Sequence, residues 1–182
     1  MDSLNQIDDD ITEIKLLIEK IILDLTFLEI CEFKLNKHHI PEIPWGSLKY
    51  SGLYLIEIKN QGAFNTFSDW VEDFRLKWAD KKYLKSFTSN LKKKRIERHT
   101  KLNDWIPLYI GKSKKIEGRI HEHLFKELHK TTFALKLNAR DNLFNETFRL
   151  STLKCNVTNY SVIMPILESK FREQINPIIG RQ

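Results

Sequence analysis

Residues 52–59 read Gly-Leu-Tyr-Leu-Ile-Glu-Ile-Lys, a short, apolar and β-prone run that predicts a strand. Working outward, residues 105–111, Trp-Ile-Pro-Leu-Tyr-Ile-Gly, predict a second strand ending at Gly111, and residues 147–155 a third. Between the first two lies an insertion, 61–104. In it Thr66-x-x-Asp69 has the form of a helix-start capping box, and Phe67, Trp70, Phe74 and Trp78 then fall along one side of a helix, as a core-facing stripe does. The insertion continues through Tyr83, Leu84, Phe87 and Leu91 into a basic run predicted as helical, with a break near Ser89-Asn90. Residues 115–129 predict a helix with the stripe Ile116, Ile120, Leu124 and Leu128, and a last helix passes through Ile163, Leu167, Phe171 and Gln174 before Asn176-Pro177.

At the N-terminus Ile7, Ile11, Ile14, Ile18, Ile21, Leu25 and Leu28 step by three and four, predicting an amphipathic helix over 7–30. Its apolar stripe needs burial, either against the rest of the chain or in a homodimer with a second copy. Residues 38–45, with Pro41 and Pro44, predict a linker. The order is that of an α+β protein: a small antiparallel three-stranded sheet flanked by helices. Residues 1–48 form an N-terminal helix and linker, and 49–182 the principal domain with its basic helical insertion.

A chain of 182 residues suits one domain with one principal site. It has no apolar run near the roughly 18 to 20 residues of a membrane span, and its acidic N-terminus is unlike a signal peptide, so a cytoplasmic protein with no membrane partner is expected. Two cysteines, Cys31 and Cys155, are too few for a disulfide scaffold or a cysteine zinc site. Charge is uneven: residues 1–32 carry two basic and nine acidic side chains, whereas 75–101 carry eleven basic and two acidic. Such a basic segment, with Lys92, Lys93, Lys94, Arg95 and Arg98 at its centre, is an electrostatic footprint for DNA or another polyanion.

Phosphodiester hydrolysis needs a base, a fixed cation against developing charge and usually a divalent metal. Tyr54 and Tyr109 lie on the first two strands, where pairing can bring both phenols to one face, and Lys112 follows directly. A phenol with an ordinary pKa of about 10 is a poor base, so a nearby cation is needed to lower it. Arg119 and His123, four apart on one helix face, suit one phosphate. Glu168, shortly after Pro165 and near the predicted start of the last helix, can hold one hard cation such as Mg²⁺ or Mn²⁺. His121, His123 and His129 lack the spacing of a transition-metal site, and Gly111-Lys112-Ser113 lacks the upstream glycine of a P-loop.

Gly52-Leu53-Tyr54 and Tyr109-Ile110-Gly111, followed by Arg119, His123 and Glu168 with Pro177 beyond it, resemble in order and spacing the defining elements of the GIY-YIG nuclease family. That resemblance covers residues 50–60 and 105–182. It implies a Mg²⁺-dependent DNA endonuclease with Tyr54 as general base, tuned by Tyr109 and Lys112. Arg119 and His123 would bind the scissile phosphate and Glu168 the metal. A sequence-specific restriction-type role is the preferred expectation; a repair or homing nuclease, or a non-cleaving nucleic-acid-binding module, are the alternatives. Two departures stand out: the long insertion between the motifs, and Gly180 where many members place an asparagine, a part that Asn176 is expected to take instead.

Overall fold

Strand β2 (Gly52–Lys59) lies where two apolar cores meet, and all of its residues but Lys59 are buried. Leu53 and Leu55 point to one face, and Tyr54, Ile56 and Ile58 to the other, as the two-residue strand period requires. In the computed structural model, which describes residues 2–35 and 42–180, this strand sits inside an antiparallel sheet of four strands. The order is β1 (Leu28–Lys34), β5 (Thr147–Lys154), β2, β4 (Trp105–Ser113).

The fold is therefore α+β with an antiparallel sheet, but the sheet has one strand more than expected. The extra strand comes from the end of the segment predicted as the N-terminal helix. Helix α1 (Asp2–Ile21) stops earlier, passes through a 3-10 turn at Ile22–Asp24, and the chain then pairs with β5. Leu25 and Leu28 fit a helical spacing, yet the open edge of β5 can satisfy the backbone of 28–34, and that tertiary pairing wins. Of the α1 stripe only Ile18 is buried; with Ile22 of the following turn it packs among Met164, Leu167 and Phe171 of helix α5 (Tyr160–Ile175), whereas Leu4, Ile7, Ile11 and Ile14 are exposed. The predicted 38–45 linker lies partly outside the described residues; 42–44 lead into a 3-10 turn at Trp45–Leu48.

The insertion is only half helical. Helix α2 (Phe67–Trp78) forms as expected, with the Thr66 hydroxyl accepting from the Asp69 amide at 3.1 Å and the ring pairs Trp70–Phe74 and Phe74–Trp78 stacked at 5.2 and 5.8 Å. Beyond it the basic run makes a single turn, α3 (Lys93–Ile96), because it has no apolar stripe to bury. Its flank Asn90–Leu91 (β3) pairs instead with Ile179–Gly180 (β6), and the Lys92 amide donates to the Ile178 carbonyl at 2.8 Å. The insertion thereby lies against the C-terminal tail, beside α5.

Helix α4 (Ile116–Phe125) ends one turn before the predicted 129. Beyond it, buried Lys136 holds the loop by donating to the carbonyls of Leu128 and Lys130. In α5, Pro165 is accommodated inside the helix, so Glu168 stands at mid-helix rather than near its start.

One irregularity sets the site. The β2–β4 ladder pairs Ile56 with Tyr109 and Glu57 with Pro107, leaving Leu108 as a bulge. Leu108 and Tyr109 consequently both pack on the Ile56 face, after which Ile110 turns to the α5 face.

Candidate active site

Cross-strand partners Tyr54 and Gly111 share a face, and the Tyr54 ring lies across the place where a side chain on residue 111 would stand. A Cβ there would fall within 3.0 Å of the phenol oxygen, so glycine is what lets the ring in. Tyr54 is 1% exposed and stacks against Tyr109 with ring centroids 6.2 Å apart. Its oxygen meets two donors delivered by α4. The Leu135 amide donates to Nδ1 of His123 at 3.0 Å, which leaves the His123 proton on Nε2, donating to Tyr54 Oη at 2.8 Å. Arg119 Nε donates to the same oxygen at 3.4 Å. Burial, helped by the Arg119 charge, holds the imidazole well below its ordinary range, so it is neutral. Burial pushes the Tyr54 phenol well above its ordinary value, Tyr109 adds to that, and Arg119 opposes it.

Tyr109 is only half-buried and opens onto a cavity of about 210 Å³ beside β4. There Lys112, turned to the α5 face, meets Glu168: Nζ donates to Oε2, while Arg172 Nη2 lies 2.7 Å from Oε1. Arg95, from the insertion, lines the same cavity, as do Ile179 and Gly180 of the tail. Burial first and the Arg172 charge second hold the Arg95 guanidinium below its ordinary range. Among the described residues three cations thus line the cavity around one carboxylate. No family model, curated protein or solved structure matches this chain.

The geometry gathers the six residues singled out for chemistry into two adjoining groups: Tyr54, Arg119 and His123 beneath Tyr109, and Lys112 with Glu168 beside it. It also alters five expectations. His123, fully buried with Nδ1 accepting from Leu135 and Nε2 on Tyr54, supports the phenol instead of reaching a phosphate, and burial raises that phenol where a cation was expected to lower it. Lys112 bonds to Glu168 rather than tuning a tyrosine: paired with Leu53 and three residues after Tyr109 in a regular stretch, it falls on the α5 face, opposite both phenols. Asn176 does not approach Glu168: it caps α5 in the left-handed conformation at φ 53° and its amide donates to the Gln174 carbonyl. Arg95, expected among the DNA-binding residues of the insertion and outside the catalytic group, stands in the cavity wall because β3 and β6 draw α3 onto the tail. Lys93, Lys94 and Arg98 remain exposed; Lys94, Arg95 and Arg98 line a second hollow with Ser169, Arg172 and Asn176, sharing Arg95 and Arg172 with the first. Lys92 is half-buried at the β3 junction.

Arg172 was missed in the sequence, although its position four residues after Glu168 on a helix was the available signal. Among the described residues no three His, Cys, Asp or Glu side chains cluster. A divalent ion here would have Glu168 as its protein ligand and draw its other oxygens from water and a substrate phosphate. That donor set fits Mg²⁺, which keeps several waters and uses one or two carboxylates. Among the described residues no helix is long and apolar enough to cross a membrane.

Proposed function

We propose that the chain is a GIY-YIG-type endonuclease that hydrolyses DNA phosphodiesters with a divalent cation at Glu168, in a sequence-specific restriction role. The observation that carries this reading is the convergence on one edge of the sheet of the stacked phenols, an arginine bonded to one of them, and a carboxylate set among cations. Bound at Glu168, the cation would supply charge stabilisation for the leaving oxygen. Tyr54 takes the proton from the attacking water through the small phenolate fraction that burial leaves it, its oxygen being aimed at by the donors of His123 and Arg119; Tyr109, in the cavity wall, orients that water. Arg119, whose Nε is on Tyr54 and whose Nη1 is on Glu122 and Thr132, would offer the phosphate its charge and its remaining Nη2 donors; it stays protonated, since burial works against its charge but Tyr54 and Glu122 outweigh this and hold the guanidinium above its ordinary range. Incubation with plasmid and phage DNA in Mg²⁺ should give discrete fragments and none in EDTA; intact DNA under both conditions rejects the proposal.

A pH dependence follows from the burial of Tyr54. Because its folded-state pKa is raised, the phenolate fraction grows through the whole neutral and mildly alkaline range. Single-turnover rates are expected to climb about tenfold per pH unit with no plateau below roughly pH 9. A plateau near neutrality would assign the base to another group, and Tyr54→Phe should remove the slope.

The exposed basic residues give a separate expectation. Neutralising Lys93, Lys94 and Arg98 together should reduce the log–log salt slope of DNA binding by roughly 0.9 for each phosphate no longer neutralised. Single-turnover cleavage at saturating enzyme should hold, since none of the three reaches the Glu168 cavity. An unchanged salt slope would make that surface a solvated face.

A further inference from the structure

We propose, resting on the nuclease reading, that Arg172 gates the cation site: with Lys112 it occupies both oxygens of Glu168 until a phosphate takes over those two cations, so that a divalent ion binds Glu168 only together with phosphate. Each carboxylate oxygen already has a cationic partner, Lys112 at Oε2 and Arg172 at Oε1, and the Glu168 side chain is only 11% exposed. Arg95 stands in the same cavity wall, so a bare divalent ion would enter a region whose formal charge is already positive. A phosphate reverses that balance. Its oxygens match the planar fork of Arg172 and accept from Lys112, and the freed carboxylate then faces a cation that the phosphate also attracts. Arg172 is placed for this exchange because it lines both hollows, the one holding Glu168 and the one reaching Lys94 and Arg98. Metal and phosphate affinity are then coupled, and the coupling is reciprocal.

Mn²⁺ titration, followed by the electron paramagnetic signal of the free ion, tests this on the full chain. The anions are methyl phosphate and, in an Arg119→Ala background that leaves DNA uncut, a short duplex corrected for its own Mn²⁺ binding. Wild type is expected to bind Mn²⁺ weakly alone and at least tenfold more tightly with either anion. Arg172→Gln should bind Mn²⁺ several-fold more tightly than wild type without phosphate and lose most of the coupling; Arg172→Lys, which keeps the charge but not the fork, should bind Mn²⁺ as weakly as wild type without phosphate and keep only part of the coupling, and Glu168→Gln should bind none. A merely structural arginine would not raise metal affinity when removed. Should Arg172→Gln fail to fold, Lys112→Met opens the other oxygen and gives the same readout. Mn²⁺ affinity indifferent to both phosphate and these substitutions overturns the gate. Coupling with methyl phosphate in a protein that never cuts DNA keeps the gate and rejects the nuclease, whereas Mg²⁺-dependent cutting without coupling does the reverse.

Discussion

Glu168→Gln is expected to lower single-turnover cleavage by about three orders of magnitude while DNA binding holds or tightens. Among the described residues the carboxylate is the one anionic group in a cavity lined by Lys112, Arg172 and Arg95. Losing it removes the cation that would stabilise the leaving oxygen, a contribution of several kcal/mol, and about 4 kcal/mol corresponds to that factor. The same change releases two cations from their ion pairs, so the phosphate backbone gains donors. Quenched-flow cleavage and fluorescence anisotropy, measured on one preparation, separate the two effects. A variant that cuts within tenfold of wild type, or one that no longer binds DNA, would remove Glu168 from the proposed role.

Gly111→Ala should damage both stability and rate. Its new Cβ would meet the Tyr54 oxygen and ring carbon at distances real contacts do not reach, and the Tyr109 ring at 3.0 Å. Tyr54 cannot retreat easily, being buried and bonded to His123 and Arg119. Overpacking of this kind costs about 1–3 kcal/mol, and a phenol displaced by roughly 1 Å costs on the order of 10²-fold in rate. Urea denaturation reads the first and single-turnover kinetics the second. Combining Gly111→Ala with Tyr54→Phe removes the clashing oxygen and should recover part of the stability with none of the rate. Wild-type values for Gly111→Ala in both measurements would mean that the ring does not lie across residue 111.

What could be read in the sequence, and what could not, divides by the range of the interactions. The strands at 52–59 and 105–111 and helix α2 with its Thr66 cap were legible because apolar period and capping are local signals. The edge strand at 28–34 was hidden, since its residues also fit a helical spacing and only β5 decides between them. Tyr54, Arg119 and His123 were placed on their elements from spacing alone. That Lys112, three residues after Tyr109, faces away from the phenols follows from the strand period, but that it meets Glu168 there depends on how α5 packs on the sheet, a contact 56 residues apart in the chain. Arg95 in the cavity depends on Asn90–Leu91 pairing with residues 179–180, a contact between segments far apart in the chain.

The bulge also changes how β4 would answer to saturation mutagenesis. In a regular strand, tolerance to polar substitution alternates strictly from one position to the next. Here Ile106 and Leu108 demand apolar side chains on one beat, Tyr109 and Gly111 keep that same face on the next, and Ile110 and Lys112 occupy the opposite phase. The tolerance profile along 105–113 should therefore skip a beat between 108 and 109. Deleting Leu108 would bring the two halves into a single rhythm and leave the pairings on either side of it as they are, Glu57 with Pro107 and Ile56 with Tyr109, so the strand would lose one buried apolar side chain while the phenols and Lys112 keep their step.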